Sequence, residues 1–489
     1  MVEVEVIPTE ELGNRSYIAH DGSSAVVIDP QRDLDRVEAV LSWLGVTCGL
    51  VMETHIHNDY VTGGYELARR LGVPYVLSAD EDVSFGRHGV RDGQRLAVGR
   101  LTVQVTATPG HTDNHLSYVI SDGDGPPVVF TGGSLLYGSV GRTDLVDPAR
   151  TEELTRAQYR SAHRLADALP DDTGVYPTHG FGSFCSSGSA GSAGAGAAAS
   201  AGAVSHAHAH VHSHAPSPSL SPDPAPDPAT APAAPPSATI GDERARNAAL
   251  TEPDEDVFVA RLVAGLTAYP AYYAHMAALN RQGPGVPDLA PPARVDAHEL
   301  AKRIADGEWV VDLRDRTAYA AGHLAGTVGI ELGRQFATYL GWLLPWGSQL
   351  TLIGETPEQV ADAQRQLIRI GVDLLAGAGT APGTLPGEAL RSYPRVRFAD
   401  LAVRPEGEPV MDVRRDDERA QGHIPGSTHV PLHSLLDRLA ELPAGRLWVH
   451  CAGGFRASIA AALLDRAGRQ VVLVDDDYAK AVETGLATG

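Results

Sequence analysis

Cysteine and long apolar runs are both scarce in this sequence. Its 489 residues include three cysteines, Cys48, Cys185 and Cys451. Cysteines so few and so scattered argue against a disulfide framework, so we expect the protein in a reducing cytoplasm. Each cysteine is then expected to be either a buried packing residue or a functional thiol. No uninterrupted apolar run reaches the roughly 18 residues of a membrane-spanning helix, and we therefore expect no membrane segment.

Positive charge is also in short supply. Lysine and arginine together number 39 against 61 acidic residues, which gives a formal charge of −22. Nucleic acids and anionic lipids bind basic surfaces, so neither is an expected partner. The first residues, MVEVEVIPTEEL, alternate in polarity and predict a strand instead of a secretory signal. Composition does not determine the oligomeric state, and a homo-oligomer stays one of the options.

The pattern along the chain changes sharply after its first third. Residues 1–180 show short apolar strands with interposed helices, and polar side chains follow several strand ends. Residues 186–238 consist largely of Ala, Gly, Ser and Pro and predict a disordered insert. Its histidine tract, 206–214, is either a solvated linker or a metal-storage segment. Ordered pattern resumes at Thr239, and we predict a helix over 256–281.

A metal site is indicated by histidines placed just after strands. In THIHNDYVTGG two imidazoles stand at i and i+2, and a third follows a strand in TPGHTDNH. Three such imidazoles can converge on one zinc or iron ion. A carboxylate and a further histidine would belong to a neighbouring second site, and a decayed site that binds no ion is the alternative. The candidate ligands are His55, His57, His111, Asp59 and His179.

The last third of the chain contains an internal repeat. Residues 310–332 align with 410–432, and residues 349–371 align with 446–468. Strand, loop and helix patterns agree in the two copies, but Gly354 occupies the position of Cys451. One copy is therefore expected to be active and the other to serve structure or docking.

The second copy carries a candidate nucleophile in the segment LWVHCAGGFRASIAAALL. A buried strand leads to Cys451, and a glycine-containing loop leads into an Ala-rich helix. Loop amides, the helix N-terminus and Arg456 would all stabilise a thiolate at Cys451. A buried core cysteine is the alternative. The loop residues that would surround the sulfur are Ala452, Gly453, Gly454 and Phe455.

Residues 395–489 resemble a rhodanese domain. The resemblance rests on Asp412, Arg414, the segment GHIPG (422–426) and CAGGFR. It implies that Cys451 is the nucleophile, carries a persulfide during sulfur transfer, and lies in a loop closed by Arg456. Residues 294–385 resemble the same fold without its nucleophile.

Residues 1–185, continued by 239–290, resemble the metallo-β-lactamase superfold, in its persulfide dioxygenase and glyoxalase II branch. The matching motifs are THIHNDYVTGG, TPGHTDNH, FTGGSLLYGSVGRTD and YPTHG. The resemblance implies an iron held by two histidines, His55 and His111, and an aspartate, but this chain has Gly133 at the aspartate position. Tyr60 likewise replaces a second-site histidine. Arg142, in GRTD, is a candidate for binding a substrate carboxylate or for an internal salt bridge.

These resemblances predict an α/β chain with an N-terminal αββα metallo-β-lactamase sandwich and two rhodanese-like domains with parallel sheets. The implied function is oxidation of a low-molecular-weight thiol persulfide, coupled to sulfur transfer among persulfide, sulfite and thiosulfate through Cys451. One Fe(II) per chain is expected, with zinc as the alternative. Two other functions stay open: a zinc-dependent thioester hydrolase fused to a sulfurtransferase, and a sulfurtransferase with a decayed metal domain.

Overall fold

The computed structural model describes residues 1–187, 238–380 and 390–488. The predicted insert 186–238, with its histidine tract 206–214, therefore lies almost entirely outside the described residues, as do 381–385. Within the described ranges, none of the helices combines the length and apolar character needed to cross a membrane.

The N-terminal region contains a six-stranded sheet in the order β1-β2-β3-β4-β5-β6. β1 to β3 pair antiparallel, with β2 and β3 joined by a hairpin at Asp21-Gly22, whereas β3 to β6 run parallel. The strands are β1 (Glu3–Thr9), β2 (Asn14–His20), β3 (Ser24–Ile28), β4 (Thr47–Met52), β5 (Tyr75–Ser78) and β6 (His88–Val90).

A second sheet of five strands, in the order β11-β10-β9-β8-β7, packs against the first. Tyr17 and Val26 of the first sheet share one buried apolar cluster with Leu101, Tyr118 and Phe130 of the second. This cluster is the core of a sandwich whose two inner faces are apolar. The strands are β7 (Arg95–Val98), β8 (Leu101–Ala107), β9 (Leu116–Ser121), β10 (Val128–Gly132) and β11 (Gly174–Pro177).

Helices cover both outer faces of this sandwich. The outer face of the first sheet packs on α1 and α2, and that of the second packs on α3, α4 and α6. The predicted αββα arrangement is confirmed. The helices are α1 (Asp35–Leu44), α2 (Gly64–Leu71), the 3₁₀ turn Pro148–Arg150, α3 (Thr151–Ala168), α4 (Ile240–Arg246), α5 (Ala248–Thr251), α6 (Glu255–Ala264) and α7 (Tyr273–Gln282).

The single helix predicted over 256–281 is wrong, because the chain breaks between α6 and α7. Helix α6 ends before Gly265, and Pro270 lies in the connecting segment. Proline has no N–H to donate and disfavours helical geometry at the residue before it. The break turns α7 toward the domain that follows, where Met276 joins a shared apolar core.

The first copy of the repeat forms a parallel sheet in the order β14-β12-β15-β16. Its elements are α8 (Ala297–Ala305), β12 (Trp309–Asp312), α9 (Arg316–Ala321), β13 (His323–Leu324), β14 (Val328–Gly329), α10 (Phe336–Leu343), β15 (Leu350–Gly354), α11 (Pro357–Arg369) and β16 (Leu375–Thr380).

The second copy repeats this strand order in a parallel sheet, β20-β19-β21-β22-β18. Its elements are β17 (Leu390–Arg391), β18 (Arg395–Val396), α12 (Phe398–Ala402), β19 (Val410–Asp412), α13 (Asp416–Ala420), β20 (Thr428–His429), the 3₁₀ turns Leu432–Ser434 and Leu439–Glu441, β21 (Leu447–His450), α14 (Phe455–Arg466), β22 (Val471–Val474) and α15 (Tyr478–Glu483).

One apolar cluster joins the sandwich to both copies of the repeat. It contains Tyr60 and Tyr272 from the sandwich, Trp342 from the first copy and Cys451 from the second. Both candidate centres therefore border the same continuous core.

Candidate metal centre and thiol site

The candidate metal ligands meet at one edge of the sandwich, because strands β4, β8 and β11 all end there. Ligand atoms of His55, His111 and His179 lie within 4.8 Å of one another, and so do those of His57, Asp59 and His179. All five side chains are buried. The spacing grouped His57 with His55 and His111, whereas the fold places His179 in that group.

Hydrogen bonds fix which ring nitrogen of two histidines faces the site. His111 donates from Nδ1 to the carbonyl of Arg142 (2.7 Å), which leaves Nε2 as the acceptor. His55 contacts the Thr54 hydroxyl through Nδ1 (2.8 Å), and that hydroxyl donates to Asp29 (2.7 Å). Nδ1 of His55 must then be the donor, and its Nε2 lies 3.2 Å from Nε2 of His179. Tetrahedral nitrogen ligands of one zinc-sized ion are about 3.3 Å apart.

Asp59 supports His179 from the side away from His55. Its Oδ2 is 3.2 Å from Nδ1 of His179 and accepts a 2.8 Å bond from the Asn14 amide. Burial would raise the pKa of the Asp59 carboxyl, but His179 and His57 hold that pKa well below its ordinary value. A carboxylate behind an imidazole orients the ring and raises its basicity as a ligand.

His57 is held from behind by two acids and by Tyr60. Its Nε2 lies 2.9 Å from Glu53 and 2.8 Å from the Tyr60 hydroxyl, with Asp29 at 3.3 Å. Burial alone would lower the pKa of His57, but Asp29 and Glu53 raise it to about 10. The tyrosine that replaces a second-site histidine is therefore a hydrogen-bonding partner of His57.

Gly133 leaves the space that the His111 ring fills. A Cβ atom at position 133 would overlap Cδ2 of His111 and lie 2.7 Å from its Nε2. Glycine at position 133 provides no carboxylate to bridge the two groups of candidate ligands. The His111 imidazole occupies the space that a side chain at position 133 would need.

The donor set fits a cation. Three buried atoms at the site, Nε2 of His111, Nδ1 of His57 and Oδ1 of Asp59, have no hydrogen-bond partner among the described residues. Buried polar atoms without partners are rare and costly unless an ion or water satisfies them. Imidazole and carboxylate donors together suit zinc or iron.

Arg142 is buried in an internal salt bridge. Its guanidinium donates to both oxygens of Asp144 (2.7 Å each) and to the carbonyls of Phe184 (3.1 Å) and Thr267 (2.8 Å). Of the two interpretations from sequence, these contacts correspond to the salt bridge. Because the Arg142 carbonyl also accepts from His111, Arg142 connects this candidate metal ligand to the segments around Phe184 and Thr267.

The thiol site lies where β21 passes into α14. Cys451 follows the strand directly and is buried. Gly454 precedes the helix with φ of 87°, and a Cβ atom there would overlap the Asp475 carboxylate. The tight loop of Ala452, Gly453 and Gly454 therefore requires glycine at its last position and connects Cys451 to the N-terminus of α14 at Phe455.

Arg456 closes the loop through a partner that the sequence did not reveal. It donates to both carboxylate oxygens of Glu418, at 2.5 and 2.7 Å. Burial would lower the pKa of Arg456, but Tyr339, Glu418 and Cys451 around it raise that pKa above its usual range. The buried guanidinium is thus held near Cys451.

The first copy of the repeat retains the framework of this site without the sulfur. Arg314 pairs with Asp312 (2.7 Å) as Arg414 pairs with Asp412 (2.8 Å). Strand β15 ends at Gly354, in the position of Cys451. The two copies therefore differ in chemistry and agree in scaffold.

Several supporting residues escaped sequence reasoning, namely Asn14, Asp29, Glu53, Thr54 and Glu418. All but Thr54 are distant in sequence or belong to frequent residue types with no ligand spacing. A weak signal existed for Thr54 alone, since it precedes the first histidine of the motif.

Comparison with known proteins matches two segments of this chain to protein families. Residues 9–179 match the metallo-beta-lactamase superfamily, and residues 398–483 match the rhodanese-like domain family. The human protein "Persulfide dioxygenase ETHE1, mitochondrial" is 31% identical over 176 residues, covering 35% of this chain and 66% of the relative. A hydroxyacylglutathione hydrolase from Cupriavidus metallidurans is 34% identical over 191 residues, covering 37% and 67%.

A crystal structure of a metallo-beta-lactamase from Staphylococcus aureus is similar over 78% of this chain and 99% of its own, with 26% identity and a TM-score of 0.61. The chain spans about two thirds of the length of the two curated relatives above. Taken with the fold and the buried histidine cluster, the matches show that this chain belongs to the metallo-beta-lactamase superfamily and carries a rhodanese-like domain after it.

Proposed function

We propose that this protein oxidises the terminal sulfur of a low-molecular-weight thiol persulfide at the histidine centre and transfers sulfane sulfur through Cys451. The supporting observation is Gly133, beside which the His111 ring fills the place of a bridging carboxylate. Without that bridge, the ligands favour one ion over a pair. Iron is the proposed ion, and zinc is the alternative.

The residues proposed to hold the ion are His55, His111 and His179, through their Nε2 atoms. Iron bound there would supply the redox chemistry that joins dioxygen to sulfur. Overall, one persulfide RSSH, one O₂ and one water would give RSH, sulfite and two protons. The chain's contribution is to hold the imidazoles of His111 and His55 in fixed tautomers, with the Arg142 carbonyl behind His111 and the Thr54 hydroxyl behind His55.

Cys451 would perform the second reaction. Its thiolate attacks the outer sulfur of thiosulfate, the S–S bond breaks, and sulfite leaves with the bonding electron pair, so that Cys451 carries a persulfide. The reverse step would use sulfite from the histidine centre and regenerate thiosulfate. The N-terminus of α14 and Arg456 stabilise the anionic sulfur in both directions. Fusing the two centres raises the effective concentration of one product at the other site.

Two single substitutions in the full chain test this proposal. The protein is purified without oxygen, its metal content is determined, and oxygen uptake with a persulfide and thiosulfate sulfurtransferase activity are measured. We expect His111→Ala to abolish oxygen uptake and keep sulfur transfer, and Cys451→Ser to do the reverse. A variant with serine at the five histidines of 206–214 serves as the control against adventitious metal.

The alternatives give different results in the same assays. Zinc together with turnover of a glutathione thioester, and no oxygen uptake, would favour the hydrolase. Absence of both metal and oxygen uptake, with sulfur transfer lost in Cys451→Ser, would leave a sulfurtransferase with a decayed metal domain.

A further inference from the structure

We infer that the cleft between the sandwich and the second repeat copy binds the thiol carrier, as one site shared by both centres. The inference rests on the proposed function. The cleft has a volume of about 560 Å³ and is lined by Ser183, Phe184 and Thr267 from one side and Arg415, Asp417 and His433 from the other. Sites for small molecules have volumes of roughly 300–1,000 Å³.

The sandwich side of the cleft is one contact away from the metal ligands. The Ser183 hydroxyl, which lines the cleft, lies 3.3 Å from Oδ2 of Asp59. The Arg142 guanidinium holds the carbonyls of Phe184 and Thr267, and the Arg142 carbonyl accepts from His111. A ligand that contacts this wall is therefore held in fixed register with the histidine centre.

The opposite side of the cleft is equally close to the Cys451 loop. Arg415 lies 3.8 Å from Glu418, the carboxylate that binds Arg456. Aromatic rings provide a second connection, because Trp342 contacts both Phe184 and His433 at 5.1 Å between centroids. Trp342 also packs on Tyr339, and Tyr339 packs on the Phe455 ring at 5.7 Å. The candidate metal ligands and Cys451 do not line the cleft themselves. Each centre is connected to the lining residues through a short chain of contacts.

The lining selects a zwitterionic thiol. Arg415 is buried and donates to Asp417 through Nε (2.9 Å) and Nη2 (3.0 Å), and the bonds found for it leave both Nη1 protons for a carboxylate. Asp417 and the exposed Asp416 can accept an ammonium group. An amino-acid thiol with both charges satisfies these groups, whereas a neutral thiol does not.

The test fills the cleft from either side and measures binding of S-methylglutathione by titration calorimetry of the full chain. This unreactive thioether carries an amino-acid end with both charges and one further carboxylate. Ala268 and Ala420 line opposite walls and are exposed, so Ala268→Trp and Ala420→Trp add bulk to the cleft without entering the core. Ala274→Trp, on the exposed face of α7, is the matched control. We expect one molecule bound per chain, at least tenfold weaker binding in both cleft variants, and no change in the control.

Oxygen uptake with glutathione persulfide separates this inference from the proposed function. A KM raised at least tenfold in both cleft variants, with the metal content unchanged, supports the shared site. No binding by the wild type, or equal binding and equal KM in all variants, overturns it. Binding that follows the expected pattern without any oxygen uptake supports the cleft and rejects the proposed oxidation.

Discussion

The main-chain N–H of Val61 donates a 2.7 Å hydrogen bond to the carbonyl of Arg369, across the junction between the sandwich and the first repeat copy. Val61 belongs to the segment THIHNDYVTGG that carries three candidate metal ligands, and Arg369 is the last residue of α11. Tyr272 lies at the same junction, where its hydroxyl donates to the Asp59 carbonyl (3.0 Å) and its ring packs beside Gly341. The copy that lacks the cysteine therefore supports the loop of the candidate metal ligands.

Replacing Arg369 tests this support. The buried guanidinium donates to Asp33 (2.7 Å) and Glu11 (3.2 Å). Arg369→Ala therefore removes the shortest ion pair of the buried Asp33 carboxylate and leaves it the longer contact with Arg36 (3.3 Å), at a cost of up to about 3 kcal/mol. We expect a lower midpoint of thermal unfolding and roughly tenfold faster loss of metal to a chelator. Arg160→Ala is the control, since its exposed pair with Glu255 contributes less than about 1 kcal/mol and lies away from the junction. Equal metal loss in the two variants would contradict the supporting role.

Local patterns in the sequence predict the types of candidate ligand and the two folds. Strand ends and short motifs can be recognised from neighbouring residues alone, without knowledge of the fold. His55 and His57 could be found from spacing alone. Their grouping could not, since His179 reaches His55 only when β4 and β11, from different sheets, end at the same edge. The break between α6 and α7 is signalled in the sequence by Pro270.

Contacts between domains were beyond sequence reasoning. Val61 and Arg369 are 308 positions apart, and the bond between them uses main-chain atoms that carry no residue signature. The Arg456–Glu418 pair is similar, because a glutamate in the acidic run Asp416-Asp417-Glu418 gives no indication of which arginine it meets. A single sequence shows which residues are present but does not show which of them pair with each other.

We expect Gly133 to be essential for metal binding, because a side chain at this position would displace the His111 ring. An alanine at this position would place its Cβ against the imidazole, 2.6 Å from Cγ, and the ring would have to leave its place. We expect Gly133→Ala to weaken metal binding at least tenfold, measured by competition with a chelator. Gly86→Ala is the control, because no heavy atom lies within 4 Å of a Cβ there. Unchanged affinity in Gly133→Ala would show that His111 is not a ligand.

The two glycines of the Cys451 loop should differ sharply in tolerance. A Cβ on Gly453 meets nothing within 4 Å, whereas one on Gly454 overlaps Asp475 at a φ of 87°. Asp475 cannot move aside easily, since Arg316 (2.9 Å) and Arg395 (2.8 Å) hold it. We expect Gly454→Ala to lower thiosulfate sulfurtransferase activity at least tenfold and Gly453→Ala to change it less than about threefold. The opposite ranking would refute the loop geometry as the cause.

His450 should make the stability of the second copy depend on pH. It is fully buried, neither ring nitrogen has a partner among the described residues, and burial lowers the pKa of the imidazole from 6.5 to about 4 despite nearby Asp412. Between those values the unfolded chain binds a proton that the folded chain does not, so stability falls as pH drops from 7 to 4. The loss assignable to His450 is about 3 kcal/mol.

Substituting His450 isolates this contribution from that of the other buried histidines. The midpoint of thermal unfolding is measured from pH 7 to pH 4 for the wild type and for His450→Gln, which has similar size and does not titrate. Because the remaining histidines are present in both proteins, only the difference between the two curves reports on His450. We expect the wild type to lose more stability than the variant, with the gap opening below pH 6.5 and levelling off below pH 4. Parallel curves would mean that His450 is protonated equally in the folded and unfolded chains, and hence that its nitrogens find partners in solution.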